Sequence, residues 1–189
     1  MLAWAEENSL VHVFFMKRIN VIILVVMCLS AAMMYPFLSG VVIEEGETGK
    51  LLAFFKMEPG KEFSITYIHS IHKTPVLETY HINQEGQIVQ TEMRFEEFGV
   101  GMPSGATGNE VFTQKDGTYI LSNMNRTFPS LDIRTGQIIA NHTLLFEGRE
   151  YPFSSFSEKG SWVRLKTEKL NVWQWMIGGI YARDEIEFF

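Results

Sequence analysis

The chain has 189 residues, of which 46% are hydrophobic and 20% charged, and its formal net charge at pH 7 is -6. This length suits one domain with a short appended segment, and the hydrophobic content excludes an intrinsically disordered protein. The acidic balance, with no basic cluster longer than Lys17-Arg18, argues against nucleic-acid binding.

An apolar segment near the N-terminus predicts a membrane-spanning helix. Residues 19–38 contain no charged side chain and are interrupted only by Asn20, Ser30 and Pro36. About 20 such residues suffice to cross a hydrocarbon core of ~30 Å. Lys17-Arg18 precedes the segment and glutamates follow it. The positive-inside rule therefore predicts that the C-terminal domain lies outside the cytoplasm.

Three interpretations of this segment stay open. An uncleaved anchor is favoured, because the run exceeds the ~7–15 residues of a signal-peptide core. Ser30-Ala31-Ala32 would suit cleavage, whereas the bulky Met27 before Cys28 disfavours a lipoprotein. Cys28 is the only cysteine, which excludes an internal disulfide framework and a cysteine zinc site. Met16-Lys17-Arg18 is typical of a signal start and suggests Met16 as an alternative start of translation.

The predicted organisation is a single-pass protein of the cell membrane. Its parts are a short cytoplasmic leader at 1–18, a transmembrane anchor or signal segment at 19–38, and an extracytoplasmic β-domain at 41–189. Within that domain apolar and polar residues alternate with a period of two, and turn residues recur regularly. The sequence therefore predicts an all-β fold, an antiparallel β-sandwich or open barrel preceded by one N-terminal transmembrane helix.

The predicted strands follow from this alternation and lie at 41–43, 51–56, 63–69, 77–83, 88–98, 119–124, 130–134, 138–146, 150–153 and 162–166. Hairpin turns are predicted at Glu85-Gly86, Thr135-Gly136 and Glu147-Gly148. The segment 98–108 is too rich in glycine for regular structure and is predicted to be a loop with positive-φ glycines. The apolar segment 172–181 is too short to span a bilayer, and Gly178-Gly179 favours a strand or docked tail over a helix.

Residues 69–81 are the first place to look for a site, because they contain three of the five histidines with a hydroxyl, a lysine and a carboxylate. The histidines with Glu78 carry ligand types that suit zinc. Strand alternation argues against that site, since positions 69 and 72, and likewise 78 and 81, point to opposite faces. Metal binding is therefore not predicted, with His69 and Glu78 kept as the weaker candidates, and no cofactor is predicted.

A hydrolase would pair Ser70 or Ser104 with His69 and Glu78. A nucleophilic serine needs a base within hydrogen-bond reach and an oxyanion donor pair. The loop around Ser104 lacks the Gly-x-Ser-x-Gly pattern of a nucleophile elbow. The sequence therefore predicts no catalytic residue and favours a protein that is not an enzyme.

Two short motifs resemble a bacterial family known as domain of unknown function 1850. The matching residues are Tyr67, His69, Ser70, Pro75, Val76 and Glu78, followed by Gly99, Gly101 and Pro103. The resemblance implies a small exported or membrane-anchored protein without an established activity. Such proteins are commonly encoded beside tripartite ATP-independent periplasmic (TRAP) transporters with a TAXI-class solute receptor, which implies a TRAP permease or solute receptor as partner.

The favoured hypothesis is thus a membrane-anchored extracytoplasmic accessory protein associated with a TRAP-type solute transporter. The alternative is a small extracytoplasmic hydrolase or metal-dependent enzyme that uses His69, Ser70 and Glu78. In the favoured hypothesis a His69–Glu78 pair across a hairpin fixes the loop 99–105. The predicted binding or structural motif is His69, Ser70, Pro75, Glu78, Gly99, Gly101 and Pro103.

Overall fold

The computed structural model describes residues 2–135 and 141–178. Its helices are α1 (Leu2–Met34) and α2 (Val172–Gly178), and a 3-10 turn spans Phe153–Ser155. The strands are β1 (Leu38–Glu45), β2 (Leu51–Lys56), β3 (Glu62–Ile68), β4 (Pro75–Ile82), β5 (Ile88–Phe95), β6 (Val111–Lys115), β7 (Thr118–Ser122), β8 (Arg126–Phe128), β9 (Ser130–Arg134), β10 (Thr143–Phe146), β11 (Arg149–Pro152) and β12 (Trp162–Leu170).

The N-terminal helix continues from the leader into the apolar segment without a break. Within it, Phe15–Met34 forms 20 residues of mean hydropathy 1.9 that are long and apolar enough to cross a membrane, and none of this stretch is buried. This is compatible with a single-pass anchor and also with a signal sequence. The helix ends before Pro36, which disfavours a helical conformation in the residue preceding it. Strand β1 then begins at Leu38, inside the predicted apolar segment.

Two antiparallel sheets form the domain. The small sheet has the order β2-β1-β12-β9, and the large sheet has the order β11-β10-β3-β4-β5-β7-β6, with β8 also paired to β5. The main core cluster joins Val41 and Ile43 of the small sheet to Phe63 and Ile65 of the large sheet. The two sheets therefore pack face to face, and the prediction of an antiparallel β-sandwich is confirmed.

The core has two further parts. A second cluster contains Val76, Met93, Phe95 and Leu121, all from the large sheet, and lies next to the β5–β6 loop. A third cluster on the small sheet contains Val42, Phe54 and Leu170, with Trp175 of α2 packed against it. Val42 alternates with Val41 and Ile43 along β1, so this third cluster occupies the opposite face of the small sheet.

Two of the three predicted hairpins are confirmed and one is wrong. β4 pairs with β5 around Glu85-Gly86, and β10 pairs with β11 around Glu147-Gly148. Among the described residues, the strands flanking Thr135-Gly136 do not pair with each other, since β9 pairs with β12 in the small sheet and β10 pairs with β3 in the large sheet. The chain therefore changes sheets between Arg134 and Thr143. The first residues of the predicted strand 138–146 lie outside the described residues.

The preference for a strand or docked tail over a helix at 172–181 is also wrong, because Val172–Gly178 is helical. Asn171 supplies the helix N-cap: the Gln174 backbone N–H donates to Asn171 Oδ1 at 2.7 Å, and the Asn171 N–H donates to Gln174 Oε1 at 3.0 Å. This reciprocal capping box satisfies two backbone donors that a short helix would otherwise leave open. Gly178 is the last described residue of the helix. Residues 179–181 of the predicted segment lie outside the described residues.

Two adjacent leucines on β10 provide a test of the sandwich. Leu144 is fully buried in the main cluster, whereas Leu145 is half-buried on the other face of the strand. Leu144→Ala removes methyl groups from a closed core and is expected to lower the free energy of unfolding by about 2–5 kcal/mol. Leu145→Ala should cost clearly less. Denaturant unfolding of the full chain in mild detergent measures both, and equal losses would contradict the assignment of faces.

Candidate functional site

The histidine-rich segment forms the turn between β3 and β4. The His69 N–H donates to the Thr74 carbonyl at 2.9 Å, and the Lys73 N–H donates to the His69 carbonyl at 2.9 Å. Lys73 has a φ of 58°, a conformation that non-glycine residues rarely adopt outside tight turns. These bonds hold the turn in one conformation and attach it to the rigid sheet.

The turn lies at the end of β4 that is remote from the start of the domain. At the other end of β4, Ile82 lines a cavity together with Ser39 and Thr167. The Thr167 hydroxyl also donates to the Gly86 carbonyl in the β4–β5 hairpin. Ser39 lies near the start of β1, five positions after the end of α1. The His69 turn is therefore about 25 Å away from that point along β4.

His69 is buried and connects the turn to the glycine-rich loop. Its Nδ1 accepts a hydrogen bond from the His72 backbone N–H at 3.4 Å, and its Nε2 lies 3.3 Å from the Val100 carbonyl oxygen. A neutral imidazole that accepts at Nδ1 carries its proton on Nε2. We therefore assign the Nε2–H as the donor to Val100, which ties the loop to the end of β3.

His72 completes the contact between turn and loop. Its ring stacks on the His69 ring with the centroids 5.1 Å apart, and its Nδ1 lies 2.8 Å from the Glu97 carboxylate. A Cβ added to Gly99 would lie 2.9 Å from the His72 ring and 3.0 Å from His69 Cε1. Gly99 therefore allows the loop backbone to lie directly against both imidazoles.

Glu78 occupies a different place, and the predicted His69–Glu78 pair is wrong. The register of β3 and β4 puts Glu78 opposite Ile65, four positions before His69, or about 13 Å along the strand. The Tyr80 hydroxyl donates to Glu78 Oε2 at 2.6 Å, and the Tyr67 hydroxyl lies 3.5 Å from Oε1. Both carboxylate oxygens are thus directed to tyrosines on the same face of the large sheet.

The Glu78 site is a carboxyl group held among apolar residues by two phenols. Burial raises the pKa of Glu78, and the hydrogen bonds from Tyr80 and Tyr67 act in the opposite direction. Burial, followed by the charge of Glu78, raises the pKa of both tyrosines, so their hydroxyls stay protonated and act as donors. Glu78 thus lies in a polar site between the core clusters.

The remaining motif residues shape the surface. Ser70 and Pro75 are exposed beside the turn, and Ser104 is exposed in the loop. Gly101 has a φ of 90°, in a turn closed by a bond from the Met102 N–H to the Gly99 carbonyl at 3.0 Å. Pro103 follows Met102, whose side chain packs on the second core cluster. These residues therefore support the loop without meeting Glu78.

The geometry does not assemble the catalytic or metal constellations considered from the sequence. A hydrolase needs His69 in contact with Glu78 and a serine, yet Glu78 is bonded to tyrosines and Ser70 is an exposed turn residue. Within residues 2–135 and 141–178, no group of three or more histidine, cysteine or acidic side chains is placed to hold a metal ion.

Exposed apolar side chains lie next to His72 and Glu97 in the turn and the loop. Ile71 and Val100 are 62% and 84% exposed. Phe98 is also exposed, and the centroid of its ring lies 4.4 Å from that of Tyr119. We call the group formed by Ile71, His72, Glu97, Phe98 and Val100 the distal patch. It combines a fixed backbone with apolar side chains that face solvent.

Comparison with known proteins adds one finding. The family model for a domain of unknown function (DUF1850) matches residues 63–153. This match supports the resemblance to the DUF1850 family that the two sequence motifs predicted. No curated protein and no solved structure matches the chain. The matched segment contains the His69 turn, Glu78 and the loop, whereas α1, β1, β2 and β12 lie outside it.

Sequence reasoning missed the contacts of three residues at the site. Tyr67 was named only as a matching motif residue, and Tyr80 and Glu97 were assigned no role. The hairpin register contained the signal for the tyrosines, because positions 67, 78 and 80 fall on one face once Ile65 is placed opposite Glu78. No local pattern indicated the contact of His72 with Glu97, which depends on the end of β5 reaching the turn.

Replacement of Glu78 by glutamine should change the pH dependence of stability. Because the pKa of Glu78 is raised on folding, its stabilising contribution is present below the unfolded pKa and is lost as pH rises through the folded pKa. The free energy of unfolding of the wild type, relative to Glu78→Gln, should therefore fall as pH rises from about 4. Tyr80→Phe removes a bond that favours the carboxylate and should move this fall to higher pH. A pH-independent difference would contradict the assignment.

Gly99→Ala tests the contact between the loop and the histidines. The new methyl group would meet both imidazoles, so the loop must shift, and we expect a loss of about 1–3 kcal/mol in the free energy of unfolding. Gly105→Ala in the same loop is the matched control, since a Cβ there meets nothing within 4 Å. Chemical denaturation of both variants measures the difference. Equal stability of the two variants would contradict the packing of Gly99 on His69 and His72.

Proposed function

We propose that the protein is a membrane-anchored accessory protein of a TRAP-type solute transporter, with its β-domain outside the cytoplasm. The distal patch is its binding surface for a protein partner. The observation that carries this choice of binding surface is the group of exposed apolar side chains, led by Val100, on a backbone fixed by His69 and His72.

The chemistry of the distal patch suits a protein contact. Protein interfaces concentrate aromatic and apolar residues at the centre and polar groups at the rim. Phe98 and Val100 supply apolar area, and the charged Glu97 and Lys73 belong to the same loop and turn. The hydrogen bonds of the turn and the contact of Gly99 with the imidazoles order this surface before any partner arrives, which lowers the entropy cost of binding.

The position of the distal patch favours a solute receptor over the permease as the partner. The patch lies at the end of β4 remote from the point where the chain leaves α1. If Phe15–Met34 spans the membrane, the patch faces away from the bilayer, where a soluble receptor approaches. The link to TRAP transporters comes from the resemblance of the two sequence motifs and not from the geometry.

Recovery of the transporter from native membranes tests this proposal. Full-length tagged protein should be purified in mild detergent after chemical cross-linking, and TRAP components identified by mass spectrometry. Val100→Asp places a charge in the patch and should lower recovery of the solute receptor at least about tenfold, equivalent to about 1.4 kcal/mol. Val111→Asp, at an exposed apolar position on β6, is the matched control and should retain recovery.

Two outcomes would overturn the proposal separately. Absence of every TRAP component from the wild-type sample would remove the transporter as partner. Equal recovery with Val100→Asp and Val111→Asp would remove the distal patch as the contact surface.

A further inference from the structure

The C-terminal helix α2 lies at the opposite end of the domain from the distal patch. It begins two positions after the last residue of β12, Leu170, which pairs with Leu38, the first residue of β1. Leu38 in turn follows the end of α1 at Met34 by four positions. Helices α1 and α2 are in contact. The second helix therefore starts where the chain leaves the apolar helix.

The two sides of α2 have different surroundings. Trp175 packs against the cluster of Val42, Phe54 and Leu170 on the outer face of the small sheet. Trp173 and Met176 are 60% and 54% exposed, and their spacing of three positions puts them together on one side of the helix. One side of α2 thus binds the domain, and the other presents a tryptophan and a methionine outward.

Further exposed apolar groups lie next to α2. Tyr35 and Phe37, directly after α1, are both exposed. The helix α2 has no charged residue, with the sequence Val-Trp-Gln-Trp-Met-Ile-Gly. Tryptophan and tyrosine concentrate at the boundary between lipid and water, where the ring is buried and its N–H or O–H stays hydrated. The composition of this end of the domain is that of a membrane interface.

Continuity with α1 identifies lipid as the occupant of this surface. The apolar stretch Phe15–Met34 is long enough to cross a hydrocarbon core, so Tyr35 emerges at its boundary. A helix that contacts α1 and starts beside Leu38 lies within a few residues of the same boundary. A protein partner would have to compete with lipid headgroups for Trp173 and Met176.

We infer that α2 is an interfacial helix that rests on the lipid bilayer and inserts Trp173 and Met176 at the headgroup boundary. Trp175 couples this contact to the small sheet, so the domain has a second attachment besides α1 and is held in one orientation on the membrane. The inference rests on the membrane anchor of the proposed function.

Site-specific fluorescence in nanodiscs tests the inference on the full-length chain. Cys28→Ser removes the only cysteine, and Trp173→Cys or Met176→Cys then carries an environment-sensitive fluorophore. Ile71→Cys, exposed in the distal patch, is the matched control. Nanodiscs of phosphatidylcholine and phosphatidylglycerol should contain lipids with a headgroup-proximal spin label. Quenching at positions 173 and 176 should exceed that at position 71 at least about threefold.

The outcomes separate this inference from the anchor itself. If the protein co-purifies with nanodiscs but positions 173, 176 and 71 are quenched equally, the anchor stands and the docking of α2 is overturned. If the protein does not co-purify with nanodiscs, the anchor fails and the docking fails with it. Strong quenching at 173 with none at 176 would overturn the assigned face of the helix.

Discussion

The antiparallel register between β3 and β4 determines which side chains can meet at the candidate site. Ile65 lies opposite Glu78, and Ile68 lies opposite Pro75. This alignment leaves His69 beyond the last strand pair, where it can contact the loop, and places Glu78 among inner-face side chains. A shift by one residue would move Glu78 to the outer face and separate it from both tyrosines. The separation of His69 from Glu78 is therefore a consequence of strand pairing.

A carboxyl group on the inner face of a sheet needs donors, and the same register supplies them. Tyr80 is two positions along β4 from Glu78, and Tyr67 is on the neighbouring strand. Each phenol has an apolar ring that fits the core and one hydroxyl that can be donated to the carboxylate. The raised pKa of Glu78 indicates that two donors do not fully replace water. A buried carboxyl group thus requires donor side chains at neighbouring positions of the sheet. Exposed residues of the turn have no such requirement, because water can supply their hydrogen bonds.

The sequence predicted strongly patterned elements well and long-range pairings poorly. The strands at 51–56 and 130–134 have the predicted bounds, because turn residues delimit them. The hairpin at Thr135-Gly136 failed because local turn chemistry does not reveal that the chain passes to the other sheet. Helix α2 was missed because Gly178 was weighed above the capping residues Asn171 and Gln174. His69 and Glu78 were paired on proximity in sequence, whereas the register separates them.

The two ends of the sandwich bear different surfaces because different segments of the chain meet at each end. At one end the small sheet receives the chain from α1 and passes it to α2, so Leu38 and Leu170 meet there. At the other end the turn after β3 and the loop after β5 meet through His69 and His72. Since β4 is one uninterrupted strand between these ends, it acts as a rigid spacer of about 25 Å. Any contact made by the distal patch is thereby held at a fixed distance from the end of α1, so the length of the sheet limits which partners the patch can reach.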